Sequence, residues 1–164
     1  MKVQSSTIEN KYLRVKSINI GACLYEVYDK KKKINLILNL GTTKDYSNKN
    51  FYVGATCGRY AGRISNSKFN IKNKIFKLEV NEGKNTLHGG KIGFDRLEWK
   101  IHHHSKNKII YQLLSKDLDQ GFPGDLNSEC TFEIKNKSLF IKYQYKSNQL
   151  THVSLTCLLY TSPS

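Results

Sequence analysis

The chain has 164 residues, of which 38% are hydrophobic and 24% charged, and a formal net charge of +14. That length and composition fit one globular domain and exclude a disordered polymer. No apolar run approaches the ~20 residues of a membrane-spanning helix, and the polar stretch after Met1 lacks the apolar centre of a secretory leader, so a cytoplasmic protein without membrane contact is expected.

Period-two alternation recurs from end to end: Ile34, Leu36, Leu38 and Leu40 alternate with Asn35, Ile37 and Asn39. Phe76, Leu78 and Val80 alternate with Lys77 and Glu79. Cys130, Phe132 and Ile134 alternate with Thr131, Glu133 and Lys135, and Leu139, Ile141, Tyr143 and Tyr145 with Phe140, Lys142 and Gln144. A period of two places one face inward and leaves the other partly wet. Turn signals separate the runs, at Gly21, residues 29–33, residues 81–83, residues 122–125 and Asn136 with Lys137. Many short strands joined by turns predict an all-β antiparallel sandwich, with no internal repeat and no linker.

The charge balance invites a nucleic-acid reading, but Arg occurs only at 14, 59, 63 and 96. Arg supplies the bidentate contacts on which phosphate and base recognition rest, and Lys30 to Lys33 reads as a solvated turn, so no nucleic-acid partner is expected. Cys23, Cys57, Cys130 and Cys157 form no C-x-x-C pair, which argues against a zinc ribbon or redox motif and for reduced, mostly buried thiols. His102, His103 and His104 cannot all face one metal ion from a strand, because neighbours point to opposite faces; solvated histidines are expected and no metal site.

Three segments break the alternation without becoming helical: residues 52–64, 81–95 and 118–126. Irregular, glycine-rich loops on a β scaffold are where binding groups are displayed. The segment T-C-G-R-Y-A-G-R-I at 56–64 resembles the G-R-Y-A-N-R-I stretch of the galactose mutarotase, or aldose 1-epimerase, family. N-T-L-H-G-G at 85–90, followed by Gly93, Phe94, Asp95 and Trp99, is similar to that family's N-x-L-H-G-G-x-x-G-F-D-x-x-x-W signature. D-Q-G-F-P-G-D-L at 119–126 resembles its D-G-x-P-G-x-L turn, and the stretch from Leu40 and Gly41 to Tyr46 its L-G-x-x-x-x-Y stretch. These segments occur in the family's order across residues 12–157.

The resemblance implies a galactose mutarotase-like sandwich, here truncated, and the interconversion of α and β anomers of free hexoses such as galactose and glucose. Ring opening needs a proton delivered to the ring oxygen while another leaves the C1 hydroxyl, the task of a general acid and a general base. The family match implies a His acid and a Glu base, no cofactor, and an aldose as the small-molecule partner. By motif position it assigns sugar contact to Arg63 and His88. Gly62 stands where many relatives carry Asn, so an amide contact there is lost or moved. Arg63 also reads as an ion-pair partner and His88 as a turn histidine, if each is taken alone. Arg59 reads as a scaffold residue beneath the site, and Trp99 and Tyr60 as core packing or as stacking surfaces for a sugar. A hexose-6-phosphate 1-epimerase, with lysines meeting phosphate, and a non-catalytic carbohydrate-binding module are the alternatives.

The family's acid lies in a V-x-L-T-x-H-x-Y-F-N-L segment. Val153 to Cys157 follows that pattern, and Leu158 then occupies the His position, so no catalytic residue is assigned. His152 lies upstream and is expected within the incoming strand. Residues 1–157 are read as the N-terminal portion of one mutarotase domain and residues 158–164 as a non-native tail, with the Glu base beyond the chain.

Overall fold

A computed structural model describes residues 2–46 and 52–161. Fourteen strands follow in chain order: β1 (Ser5–Glu9), β2 (Leu13–Ile18), β3 (Cys23–Asp29), β4 (Ile34–Asn35), β5 (Thr56–Cys57), β6 (Arg63–Ile64), β7 (Lys68–Ile71), β8 (Lys74–Lys77), β9 (Thr86–Leu87), β10 (Lys100–His104), β11 (Lys108–Ser115), β12 (Leu126–Lys135), β13 (Ser138–Ser147) and β14 (Thr156–Cys157). Single 3-10 turns lie at Thr43–Tyr46, Ser65–Ser67 and Asp119–Gly121. Two four-stranded antiparallel sheets, β1-β2-β3-β4 and β10-β11-β12-β13, form the frame, and the pairs β14-β5, β6-β9 and β7-β8 complete it.

The alternation that predicted β12 and β13 is realised in a continuous ladder from Leu126 opposite Ser147 to Lys135 opposite Ser138, closed by a turn at Asn136 and Lys137. Leu126, Cys130, Phe132 and Ile134 are buried, and they share a core with Ile8, Leu13, Val15, Ile109 and Tyr111 from the other strands. Burial of such side chains is worth roughly 1.5–3 kcal/mol each, which makes this shared core the main force joining the sheets. A hydrogen bond of 2.8 Å between Ser17 Oγ and Tyr111 Oη pairs two buried hydroxyls there. All four cysteines are thiols, with Cys23, Cys57 and Cys130 buried. Burial raises the Cys130 pKa, which keeps that sulfur protonated and inert. Tyr46 is buried with its pKa pushed up to about 12, and its hydroxyl accepts the Leu40 amide at 3.1 Å.

Two expected strands are shorter than their patterns. Between residues 34 and 40 only Ile34 and Asn35 pair with β3, and the buried residue is Ile37, at 6% exposure, while Leu38 is 57% exposed. The cause is Asn35, whose side-chain oxygen accepts the Val27 amide at 3.0 Å and so competes with the backbone ladder. The run at 76–80 leaves its hairpin at Lys77, because the Leu78 amide bonds Ser67 and the Glu79 amide bonds Gln120 in the neighbouring loop. Leu78 is buried and Val80 exposed.

The histidines also depart from strict alternation. A register shift between Ile101 and His103 leaves His102, His103 and His104 all exposed. Bulges of this kind reset the facing of side chains. His152 is not in a strand; its exposed ring packs edge-on against Phe69 at 4.8 Å. Trp99 is a core residue, 1% exposed, with its indole N–H donated to the Phe94 carbonyl at 3.0 Å, which removes it as a stacking surface for a ligand. Tyr60 is half-buried and bridges to Ser154. The chain beyond β14 stays on the fold through Leu158, paired with Gly54 and Ala55, and Tyr160, whose carbonyl accepts the Leu38 amide. Residues 162–164 of the expected tail lie outside the described residues.

Candidate functional site

The loop at residues 81–90 is tied to itself by one side chain. Asn81 accepts the Leu87 amide at 2.7 Å and donates to the carbonyls of Leu87 and Gly90, both at 2.9 Å. Within that staple, Glu82 and Asn85 exchange backbone hydrogen bonds of 3.1 and 2.8 Å around a tight turn. The loop then enters β9, which pairs Leu87 with Arg63 and Thr86 with Ile64 of β6. The two sequence segments singled out for sugar contact are therefore adjacent strands of one small ladder.

At its end, Gly62 and His88 interlock. The His88 amide donates to the Gly62 carbonyl at 3.0 Å, and the Gly62 amide donates to His88 Nδ1 at 3.1 Å. A backbone N–H can only donate, so Nδ1 is the acceptor and the ring proton sits on Nε2. Burial and the Arg63 charge hold the His88 pKa below the usual imidazole value, with the Glu82 carboxylate opposing them. His88 is thus a neutral ring that offers one donor, Nε2–H. Its ring meets that of Tyr52 edge to face, with centroids 4.7 Å apart. Its backbone is left-handed at φ 50°, a conformation that histidine tolerates better than branched residues.

Gly89 is required by close approach. A Cβ there would lie 1.8 Å from the Gly58 carbonyl oxygen, which already accepts the Phe94 amide. Gly62 is the opposite case: its φ is +94°, and an added Cβ would meet nothing within 4 Å. Position 62 therefore opens onto free space beside His88.

Arg63 is mostly exposed and forms a two-pronged ion pair with Glu82, Nε to Oε2 and Nη2 to Oε1, each 2.6 Å. The ion-pair reading of Arg63 is realised in the structure. Of its five N–H donors the pair commits two, which leaves three. Arg59, by contrast, is 2% exposed and holds the loop at 115–123 from beneath. It donates to Ser115 Oγ at 2.8 Å and to the carbonyls of Ser115, Lys116 and Pro123 at 2.9, 2.6 and 3.0 Å. Asp119 accepts from the same Ser115 hydroxyl and balances the buried charge. Sequence reasoning placed Arg59, Arg63, His88 and Gly62 near the site but missed Asn81 and Glu82, which read only as a turn. The signal available was a lone acid beside the His-bearing loop of a lysine-rich chain.

Among the described residues no group of three or more His, Cys, Asp or Glu side chains is arranged to hold a metal ion. None of their helices is long and apolar enough to cross a membrane.

Two packed antiparallel sheets with glycine-rich loops carrying an Arg–His corner define a galactose mutarotase-like β-protein. The solved aldose epimerase homologue of C. elegans superposes with a TM-score of 0.91 at 26% identity, covering 98% of this chain and 51% of that one. Galactose 1-epimerase of Lactobacillus acidophilus gives 0.87 at 28% identity, covering 98% and 53%. The profile of the aldose 1-epimerase family matches residues 4–158. Galactose mutarotase of Sus scrofa is 34% identical over 157 residues, covering 94% of this chain and 46% of its own length. Aldose 1-epimerase of Haemophilus influenzae is 34% identical over 159 residues, covering 93% and 46%. The chain belongs to the aldose 1-epimerase family, and it spans about half the length of the curated relatives that it matches.

Proposed function

We propose that residues 1–157 contribute the sugar-holding part of an aldose 1-epimerase acting on free hexoses such as galactose and glucose, in a longer protein that continues past Cys157. The observation that carries this reading is the interlock of Gly62 with His88 beside Arg63. It presents a neutral Nε2–H donor next to a cationic donor array. Such groups match the hydroxyl and ring oxygens of a pyranose, which are acceptors. Holding the ring in one pose lets a separate acid and base act on opposite faces, each worth about 10²–10⁴-fold in rate. His88 and Arg63 bind and orient; neither is assigned the proton transfers.

The 164-residue chain by itself is not competent for the reaction, because Leu158 stands at the position of the family's acid and hydrocarbon cannot donate a proton. Residues 158–164 are read as sequence foreign to the family pattern. A cytoplasmic setting is proposed.

Polarimetry of freshly dissolved galactose tests the reading. The longer protein is expected to accelerate equilibration, His88→Ala and Arg63→Ala to slow it by about 10²-fold, and the 164-residue chain to leave the spontaneous rate unchanged. Full activity in both variants, or none in the longer protein, overturns it. Preference for glucose 6-phosphate over glucose would instead support the phosphosugar branch.

A further inference from the structure

We propose that Glu82 is a positioning residue for sugar recognition, fixing the guanidinium of Arg63 so that its three uncommitted N–H groups face the ligand beside His88. The inference deepens the reading above and rests on it.

An arginine that is 63% exposed has many rotamers of similar energy, and a sugar contact made by a wandering side chain must first pay for its ordering. Glu82 removes most of that freedom. Both its oxygens engage Arg63, one through Nε and one through Nη2, each at 2.6 Å. Side-on pairing through Nε fixes the plane of the guanidinium as well as its place. The second half of the device is the base on which Glu82 stands. Its backbone is closed into a turn with Asn85, and Asn81 locks that turn to Leu87 and Gly90. The same loop carries His88, so one rigid unit sets both donors.

Arg63 beside His88 lowers the imidazole pKa and Glu82 raises it, so the carboxylate offsets part of the arginine's charge at the ring. A purely stabilising ion pair at this exposure would contribute little and would not need the side-on geometry.

The test is made in the longer protein, with Glu82→Gln, Glu82→Ala and Glu82→Asp compared with wild type. The Gln and Ala variants are expected to raise the KM for galactose about five- to tenfold with kcat changed less than about twofold, with the Asp variant recovering part of the loss. NMR titration is expected to find the His88 pKa lower in Glu82→Gln than in wild type, a shift that loss of a structural contact alone would not produce. Unchanged KM in Glu82→Gln and Glu82→Ala, or an unmoved His88 pKa, overturns the proposal. A wild-type protein without mutarotase activity overturns the functional reading itself, and the role of Glu82 in recognition falls with it.

Discussion

At the level of single residues, His88 links protonation to structure. Its folded pKa lies below the ordinary value of 6.5, because burial and Arg63 disfavour the charged ring. The unfolded chain therefore takes up the proton first as pH falls. Stability is full above about 6.5 and is lost as pH drops from there through the folded value, where Nδ1 gains a proton and can no longer accept from Gly62. Chemical denaturation across pH 7.5 to 5 is expected to show this loss in wild type and a shallower one in His88→Ala. An equal slope in both would show that His88 does not carry the effect. Arg59 gives a larger test. Arg59→Met strips partners from the buried carbonyls of Ser115 and Pro123 and the part-buried carbonyl of Lys116, and is expected to lower unfolding free energy by on the order of 3 kcal/mol in urea titration. Arg63 and His88 were legible in the sequence because each sits in a long motif. Glu82 and Asn81 were not, because their meaning lies in contacts 19 and 6 residues away that no local pattern encodes.

Elements show where periodicity informs and where it misleads. The hairpin of β12 and β13 was readable because both strands alternate and the turn at Asn136 and Lys137 interrupts neither. Residues 34–40 alternate equally well, yet the Asn35 side chain takes the place of a ladder partner and Ile37 turns inward. Short pairings such as β6 with β9 carry no periodic signal; they are fixed by the loop that Asn81 staples. Two glycines of that region should behave oppositely. Gly89→Ala drives a Cβ into the Gly58 carbonyl and is expected to cost about 2–4 kcal/mol, measured by thermal or urea unfolding. Gly62→Asn fills open space, and its cost is expected to stay within about 1–2 kcal/mol, the strain of a side chain at positive φ. Reversal of that order would mean that Gly89 does not pack against the Gly58 carbonyl.

The whole molecule has a sandwich core and a long exposed strand edge. Strand β13 is ten residues long and lies at the edge of its sheet, with Phe140 and Tyr145 each more than half exposed; Leu150 beyond it is 64% exposed. A long edge bearing apolar side chains is a template for pairing with another copy. Opposing this, the net charge of +14 keeps copies apart at low ionic strength. Light scattering during size-exclusion chromatography is expected to show association that grows with protein concentration and with salt. A monomer that melts sharply under both conditions would count against an exposed edge. The all-β sandwich was legible from alternation and turns, whereas the extent of this edge depends on which strands lie outermost, a property of topology that no single segment displays.

The corner formed by Gly62, Arg63 and His88 decides the functional reading, and the 15N imidazole spectrum of the longer protein during galactose addition reports on it directly. The expected result is a His88 ring protonated at Nε2 before sugar is added, with its signals moving on addition while those of the exposed His102 and His103 stay in place. Movement elsewhere with His88 unmoved, or a His88 ring protonated at Nδ1, would contradict it.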